Sequence, residues 1–378
     1  MNASGGLSFS LCRSNGPLLR CLNSSTPRAF SSSARCLKRR TLPTFRPSSN
    51  PELETLLTTI RSKVFIPGYL NDTQRKRIQR QKYKSQLENE AIYATIGNEE
   101  VRLEHLDVLT DIPPANSFLR ALHLSSSPDD WANFPALLEG FHTARNKSEG
   151  TLRPSWLALF VTRAATAGAI STVIRCLREA GRNGMSLAER QVREPVFREI
   201  RNAARREAWS PDATAKALSR VREVLKYMDL PAHQAGRDPR AEPLVVGTAL
   251  ELTARMAKTG GEDEETLVVM VKRMLPVLER QLKALNDDEA WAVAEDMKPA
   301  AAAYDLNKKV SNWIPVYFGL KIAEEGLGER MGKGLHEQLR TLLPVVEGRL
   351  DRAAAKIEEL VESTQGEGFA ALQEWRSR

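Results

Sequence analysis

No acidic residue precedes Glu52, and that absence is the first feature of the chain to interpret. Residues 1–50 carry Arg13, Arg20, Arg28, Arg35, Lys38, Arg39, Arg40 and Arg46 among many serines. Apolar residues (Leu11, Leu18, Leu19, Leu22, Phe30) are scattered between the cations. A secretory signal needs an unbroken apolar core of roughly 7–15 residues, and none is present. A basic, acid-free, serine-rich stretch with interspersed apolar residues is the composition of a matrix-targeting presequence, pulled inward by the membrane potential. The reading therefore divides the chain into a presequence over 1–40, an N-terminal extension over 41–113 and a helical region over 114–378.

Cysteine is almost absent beyond that segment. Cys12, Cys21 and Cys36 fall within it, which leaves Cys176 alone. One cysteine excludes an internal disulfide and a cysteine-rich zinc site, and its apolar surroundings predict a small buried hydrophobe. Long apolar runs are missing too. The most apolar window, 156–174, has Arg163 near its middle, so no membrane span is expected. The chain has 55 basic and 47 acidic residues, but eight of the basic ones lie in 1–50, leaving 47 of each sign. Overall basicity thus belongs to the leader, and any nucleic-acid contact must rest on local charge. Arg28-Ala29-Phe30-Ser31-Ser32-Ser33 also resembles the cleavage region of mitochondrial presequences.

Residues 91–113 hold the one β signal, Ile92 to Gly97 and Val101-Arg102-Leu103, which predicts a short hairpin. From Pro114 onward the pattern is helix after helix. Ser127 and Ser210, each followed by Pro and Asp, read as helix starts. Leu267, Met270, Val271, Met274, Leu275, Leu278 and Leu282 recur at helical spacing, and Pro276 among them predicts a kink or a break. The expected fold is all-α: stacked antiparallel helical hairpins, as in an α-solenoid, with a small irregular N-terminal region.

One hairpin is legible in detail. A helix opens at Trp156 and runs to about Ala165, Ala167-Gly168 turns the chain, and Ile170, Val173, Ile174 and Leu177 mark a second helix ending at 180–184. Residues 155–185 resemble a pentatricopeptide repeat. Two segments are similar in outline, Leu244 to Val277 around Thr259-Gly260-Gly261 and Trp313 to Val346 around Gly326 to Gly328. Their irregular spacing matches any series of α-hairpins with glycine turns as well.

Catalytic motifs fail one after another. Gly326 to Gly334 looks like a phosphate loop, but Leu327 stands five before Gly332, and Gly334 follows Lys333 where a hydroxyl residue is needed. Glu139 and His142 have the spacing of one half of a carboxylate-bridged metal site, with no second copy. His336-Glu337 is followed by Arg340 where a zinc protease needs its second histidine. No catalytic residue, cofactor or metal is expected.

The strongest candidate is a basic helix from Asp72 to about Glu90. Within it Arg75, Lys76, Arg77, Arg80, Lys82 and Lys84 place six cations in ten residues with no acid between them. Clustered Lys and Arg neutralise phosphates, and Tyr83 offers a base a stacking surface. The competing account pairs these cations with Glu88 and Glu90 or with the acidic cluster 262–265. The reading is a non-enzymatic mitochondrial matrix protein that binds RNA or the mitoribosome. A scaffold or assembly factor for a respiratory-chain complex is the rival, favoured by the neutral balance after residue 50 and by the mixed-charge helix Glu347 to Glu362.

Overall fold

The computed structural model describes residues 41–114, 116–145, 152–234, 236, 238–260, 264–284, 297–362 and 369–377. The expected presequence, Trp291 and the acids Glu262 and Asp263 lie outside the described residues.

An extended segment enters the fold at Leu42, which is buried, and is fastened to Asp130 and Asn133. There Arg46 N donates to Asn133 Oδ1 at 2.7 Å, and Asp130 accepts from Ser48 Oγ at 2.7 Å and Ser49 Oγ at 2.9 Å. Helix α1 (Pro51–Ile60) starts at Asn50, whose side chain accepts from Glu52 N, and buries Leu53, Leu57 and Ile60. A π-helical turn (Arg61–Phe65) and α2 (Ile66–Tyr69) carry Phe65 edge-on to Phe141, with centroids 5.4 Å apart. Gly140 makes that room, since a Cβ there would meet the Phe65 ring at 2.1 Å. Helices α3 (Asp72–Gln79) and α4 (Lys84–Asn89) follow. The expected hairpin comes next, β1 (Tyr93–Ile96) antiparallel to β2 (Glu99–Arg102), with Tyr93 opposite Arg102 and Gly97 at positive φ in the turn.

Helices α5 (Ser117–Leu124), α6 (Pro128–Ala132) and α7 (Phe134–Arg145) lead into the series of pairs. These are α8 (Pro154–Thr166) with α9 (Ile170–Arg178), α11 (Arg190–Arg206) with α12 (Pro211–Tyr227), α13 (Pro243–Lys258) with α14 (Glu264–Ala284), and α15 (Pro299–Leu327) with α16 (Lys333–Glu362). Short α10 (Ala180–Asn183) follows α9, and α17 (Ala370–Arg376) closes the chain. First helices pack in succession, α8 on α11, α11 on α13 and α13 on α15, while α9 lies against α12. This is the stacked-hairpin, all-α architecture that periodicity predicts.

Two hydrophobic clusters adjoin at α13. Leu42, Phe65, Ile78, Leu87 and Leu103 share the first with Phe118, Phe160, Val196 and Leu252. The second runs from Val246 and Leu250 to Leu350, Ile357 and Trp375. Helix α13 serves both, and residues Leu244 to Ala254 are buried without interruption. It meets α15 backbone to backbone: a Cβ on Gly247 would stand 2.6 Å from Val316 N, and one on Gly319 2.9 Å from Glu251 N.

Of the kink or break expected at Pro276, the break does not occur. Pro276 neither breaks α14 nor ends it, and Pro315 sits inside α15. Trp313 therefore lies in mid-helix and does not open one. Each proline removes one helical hydrogen bond, a penalty of roughly 3 kcal/mol that burial of two apolar faces along α15 outweighs.

Candidate functional site

The basic segment is built in three pieces. Asn71 starts α3 with a capping box, accepting from Gln74 N at 2.9 Å while its own N–H donates to Gln74 Oε1 at 3.2 Å. At Arg80 the backbone turns extended (ψ 126°), a 3-10 turn covers Gln81–Tyr83, and α4 begins at Lys84. The continuous helix expected over 72–90 is thus interrupted, and core packing gives the reason. Ile78 and Leu87 are both buried, at 3% exposure each. Nine residues apart on one α-helix, at about 100° per residue, they would point to opposite sides. Breaking the helix between them turns both side chains inward and the cations outward.

Arg75 differs from the other five cations. It is half-buried, its Nε donates to Pro67 O at 3.3 Å and its Nη2 to Leu70 O at 3.2 Å, with Asp72 at 3.5 Å. It holds α3 onto the end of α2. Lys76, Arg80 and Lys82 are exposed, and Arg77 and Lys84 are half-buried. Among the described residues, none of these five has a carboxylate within ion-pair distance. Two of the acids expected to compete have other partners: Glu90 accepts from Gln86 at 2.8 Å, and Glu264 holds Arg330 at 2.7 Å. Lys82 Nζ lies 4.7 Å from the centre of the half-buried Tyr83 ring and the Arg77 guanidinium 6.0 Å from it. The arrangement offers positive charge and an aromatic face to an anionic, planar-base polymer.

The hairpin backs this surface. Leu106 N donates to Ile78 O at 2.9 Å, and a hollow of about 310 Å³ lies between α2–α3 and residues 99–106. Its polar lining includes Lys63, Glu99, Arg102 and His105.

One histidine has a clear structural role. His233 is buried between two elements: its Nδ1 accepts from Leu187 N at 3.0 Å and its Nε2 donates to Leu177 O at 2.8 Å. Burial pushes its pKa below the ordinary imidazole value, so it packs neutral. Glu139 is held by Arg182 at 2.8 Å, away from any metal role with His142. Among the described residues no group of three His, Cys, Asp or Glu side chains converges as a metal site requires. No helix among them is long and apolar enough to cross a membrane. Gly328 to Met331 form a helix-to-helix turn, with no strand before them. Cys176 is fully buried, and burial pushes its thiol pKa far up.

Composition alone did not reveal a buried charge network. Arg201, 4% exposed at its side chain, reaches Glu251 of α13 at 2.6 Å and Glu374 of α17 at 2.5 Å. Arg255 also holds Glu251, at 2.9 Å, and lies 3.7 Å above the Trp209 ring. Residues scattered over 173 positions meet here, a separation that no local pattern in the sequence marks. The network ties the last helix to the middle of the stack.

Comparison with known proteins adds two findings. A family profile described as "Mitochondrial ribosomal protein mS27" matches residues 28–377. The small ribosomal subunit protein mS27 of Neurospora crassa is 28% identical over 371 residues, covering 90% of this chain and 89% of that protein.

Proposed function

The chain belongs to the mitochondrial ribosomal protein mS27 family, and from that premise we propose that its open basic segment grips RNA of the small subunit. As a member it is a non-enzymatic mitochondrial protein of translation that binds the mitoribosome. Lys76, Arg77, Arg80, Lys82 and Lys84 contact phosphates, and Tyr83 stacks on an unpaired base or ribose face. Arg75, first counted with them, acts from beneath by holding α3 in place. The carrying observation is that these five cations, three of them exposed and two half-buried, have no carboxylate partners among the described residues, and two of them lie against the Tyr83 ring.

The remaining assignments rest on the same premise. Residues 1–40 act as a presequence removed on import, which makes the matrix the working compartment. Segment 41–113 supplies the RNA contacts, and the paired helices of 114–378 form the scaffold, with 155–185 packed in the manner of a pentatricopeptide repeat. The assembly-factor reading loses one of its two supports, because the mixed-charge helix Glu347–Glu362 belongs to α16, whose Leu350, Ala353, Ala354 and Ile357 are buried in the second core.

Gradient sedimentation of the tagged chain from purified mitochondria tests the reading. Co-migration with the small subunit, collapsing after RNase, is the expected result. A small RNase-resistant species, or migration with a membrane complex, would overturn it.

A further inference from the structure

Apolar side chains left in water mark contact surfaces when they are clustered and held rigidly. The loop after the hairpin meets both conditions. Val108, Leu109 and Ile112 are exposed within five residues, and Leu109, at 93%, is the most exposed large hydrophobic side chain among the described residues. The loop is a built turn. Asp107 Oδ1 accepts from Leu109 N at 2.9 Å, Asp111 Oδ2 accepts from Asp107 N at 3.1 Å, and Asp111 N returns a bond to Asp107 O at 2.9 Å. Lys63 stands 3.9 Å from Asp111 on the inner side.

Charge around this knob has the opposite sign to the basic segment. Residues 99–112 contain Glu99, Glu100, Glu104, Asp107 and Asp111 against a single arginine, Arg102. Glu99 is held by Arg61 at 2.7 Å, whereas Glu100, Glu104 and Asp107 have no cation within ion-pair distance among the described residues. The Leu109 amide keeps the Asp107 carboxyl below its ordinary range, so the negative charge persists under mildly acidic conditions. Phosphates approaching this collar would meet like charge, while a cationic protein surface would meet its complement.

We propose that the 107–112 loop is a protein-docking knob, which seats Leu109 in an apolar socket rimmed by Lys or Arg on a neighbouring small-subunit protein. The inference rests on the small-subunit reading above and adds a second contact of different chemistry. The basic segment meets RNA, and the acid-collared knob meets protein. Charge segregation within one stretch of chain then sorts the two partners, since each surface repels the other's ligand.

The test places a photo-crosslinker in the full chain as Leu109→p-benzoylphenylalanine, sediments the small subunits from mitochondria and irradiates them. The expected product is an RNase-resistant protein adduct whose attached peptide carries Lys or Arg beside apolar residues. A companion variant, Leu109→Ser, removes an exposed side chain from no core. It is expected to leave thermal unfolding unchanged and to weaken retention on salt-washed subunits by roughly 10- to 100-fold. An adduct lost with RNase, or no adduct while the chain still co-sediments, overturns the docking knob and leaves the small-subunit reading standing. Failure to co-sediment overturns that reading itself.

Discussion

Neutralising the basic segment one residue at a time gives a quantitative prediction, because the structure separates five open cations from one that is tied down. Each cation engaged with a phosphate releases condensed counterion, which steepens the fall of log K with log salt by roughly 0.7–0.9 per contact. Lys76, Arg77, Arg80, Lys82 and Lys84 together account for a slope of about −3.5 to −4.5. Raising salt from about 50 to 200 mM is then expected to weaken binding to small-subunit ribosomal RNA by roughly 100- to 500-fold. Single changes to Gln at Lys76, Arg80 or Lys82 each lower the slope by just under one, and the fivefold variant loses most of it. Arg75→Gln behaves differently: its bonds go to Pro67 O and Leu70 O, so stability falls and the slope barely moves. Fluorescence anisotropy of a labelled RNA over a salt series measures all of these. A wild-type slope shallower than about −1, or an Arg75 variant that loses as much slope as Arg80→Gln, would refute the reasoning.

Three further outcomes follow from the packing. Arg201→Met leaves the buried Glu251 and the half-buried Glu374 with only Arg255 and Arg205 to neutralise them, and is expected to cost about 3–5 kcal/mol in urea unfolding; a loss below about 1 kcal/mol would show that the network is incidental. Gly247→Ala drives a methyl against the Val316 backbone and is expected to cost about 1–3 kcal/mol, whereas Gly181→Ala meets nothing within 4 Å and is expected to be neutral or slightly stabilising. The depressed pKa of His233 means that the unfolded chain binds the proton more readily. Its contribution to stability is therefore complete above the unfolded value, about 6.5, and is lost as pH falls below it. His233→Gln is expected to flatten that acid limb, and an unchanged pH profile would remove His233 from the account.

Much of the architecture was legible because local chemistry and tertiary structure agree. Gly168 and Gly260 turn the chain at positive φ where the sequence suggests hairpin turns, and Ser127 and Ser210 cap helices through their hydroxyls. The alternation around Gly97 marks the hairpin. Misreadings cluster where tertiary packing overrides a local rule. Pro315 stays inside α15, which therefore runs for 29 residues where the sequence suggests a shorter helix beginning at Trp313. Conversely, α3 and α4 read as one basic helix because nothing local marks Arg80 as a break. Only the joint burial of Ile78 and Leu87 requires it. For the site, sequence located the cations but could not tell Arg75, bonded to backbone carbonyls, from its five open neighbours. Leu109 carries no mark in the sequence, since an apolar residue after a strand is ordinarily buried, and exposure is a property of the fold alone.

The most direct measurement is ultraviolet cross-linking of intact small subunits, followed by protease digestion and mapping of the peptides that carry nucleotide adducts. The account predicts that adducts concentrate on peptides from 76–84, with Tyr83 as the modified residue, and are absent from 104–112. Adducts confined to the paired helices after residue 114, with none on 76–84, would contradict it.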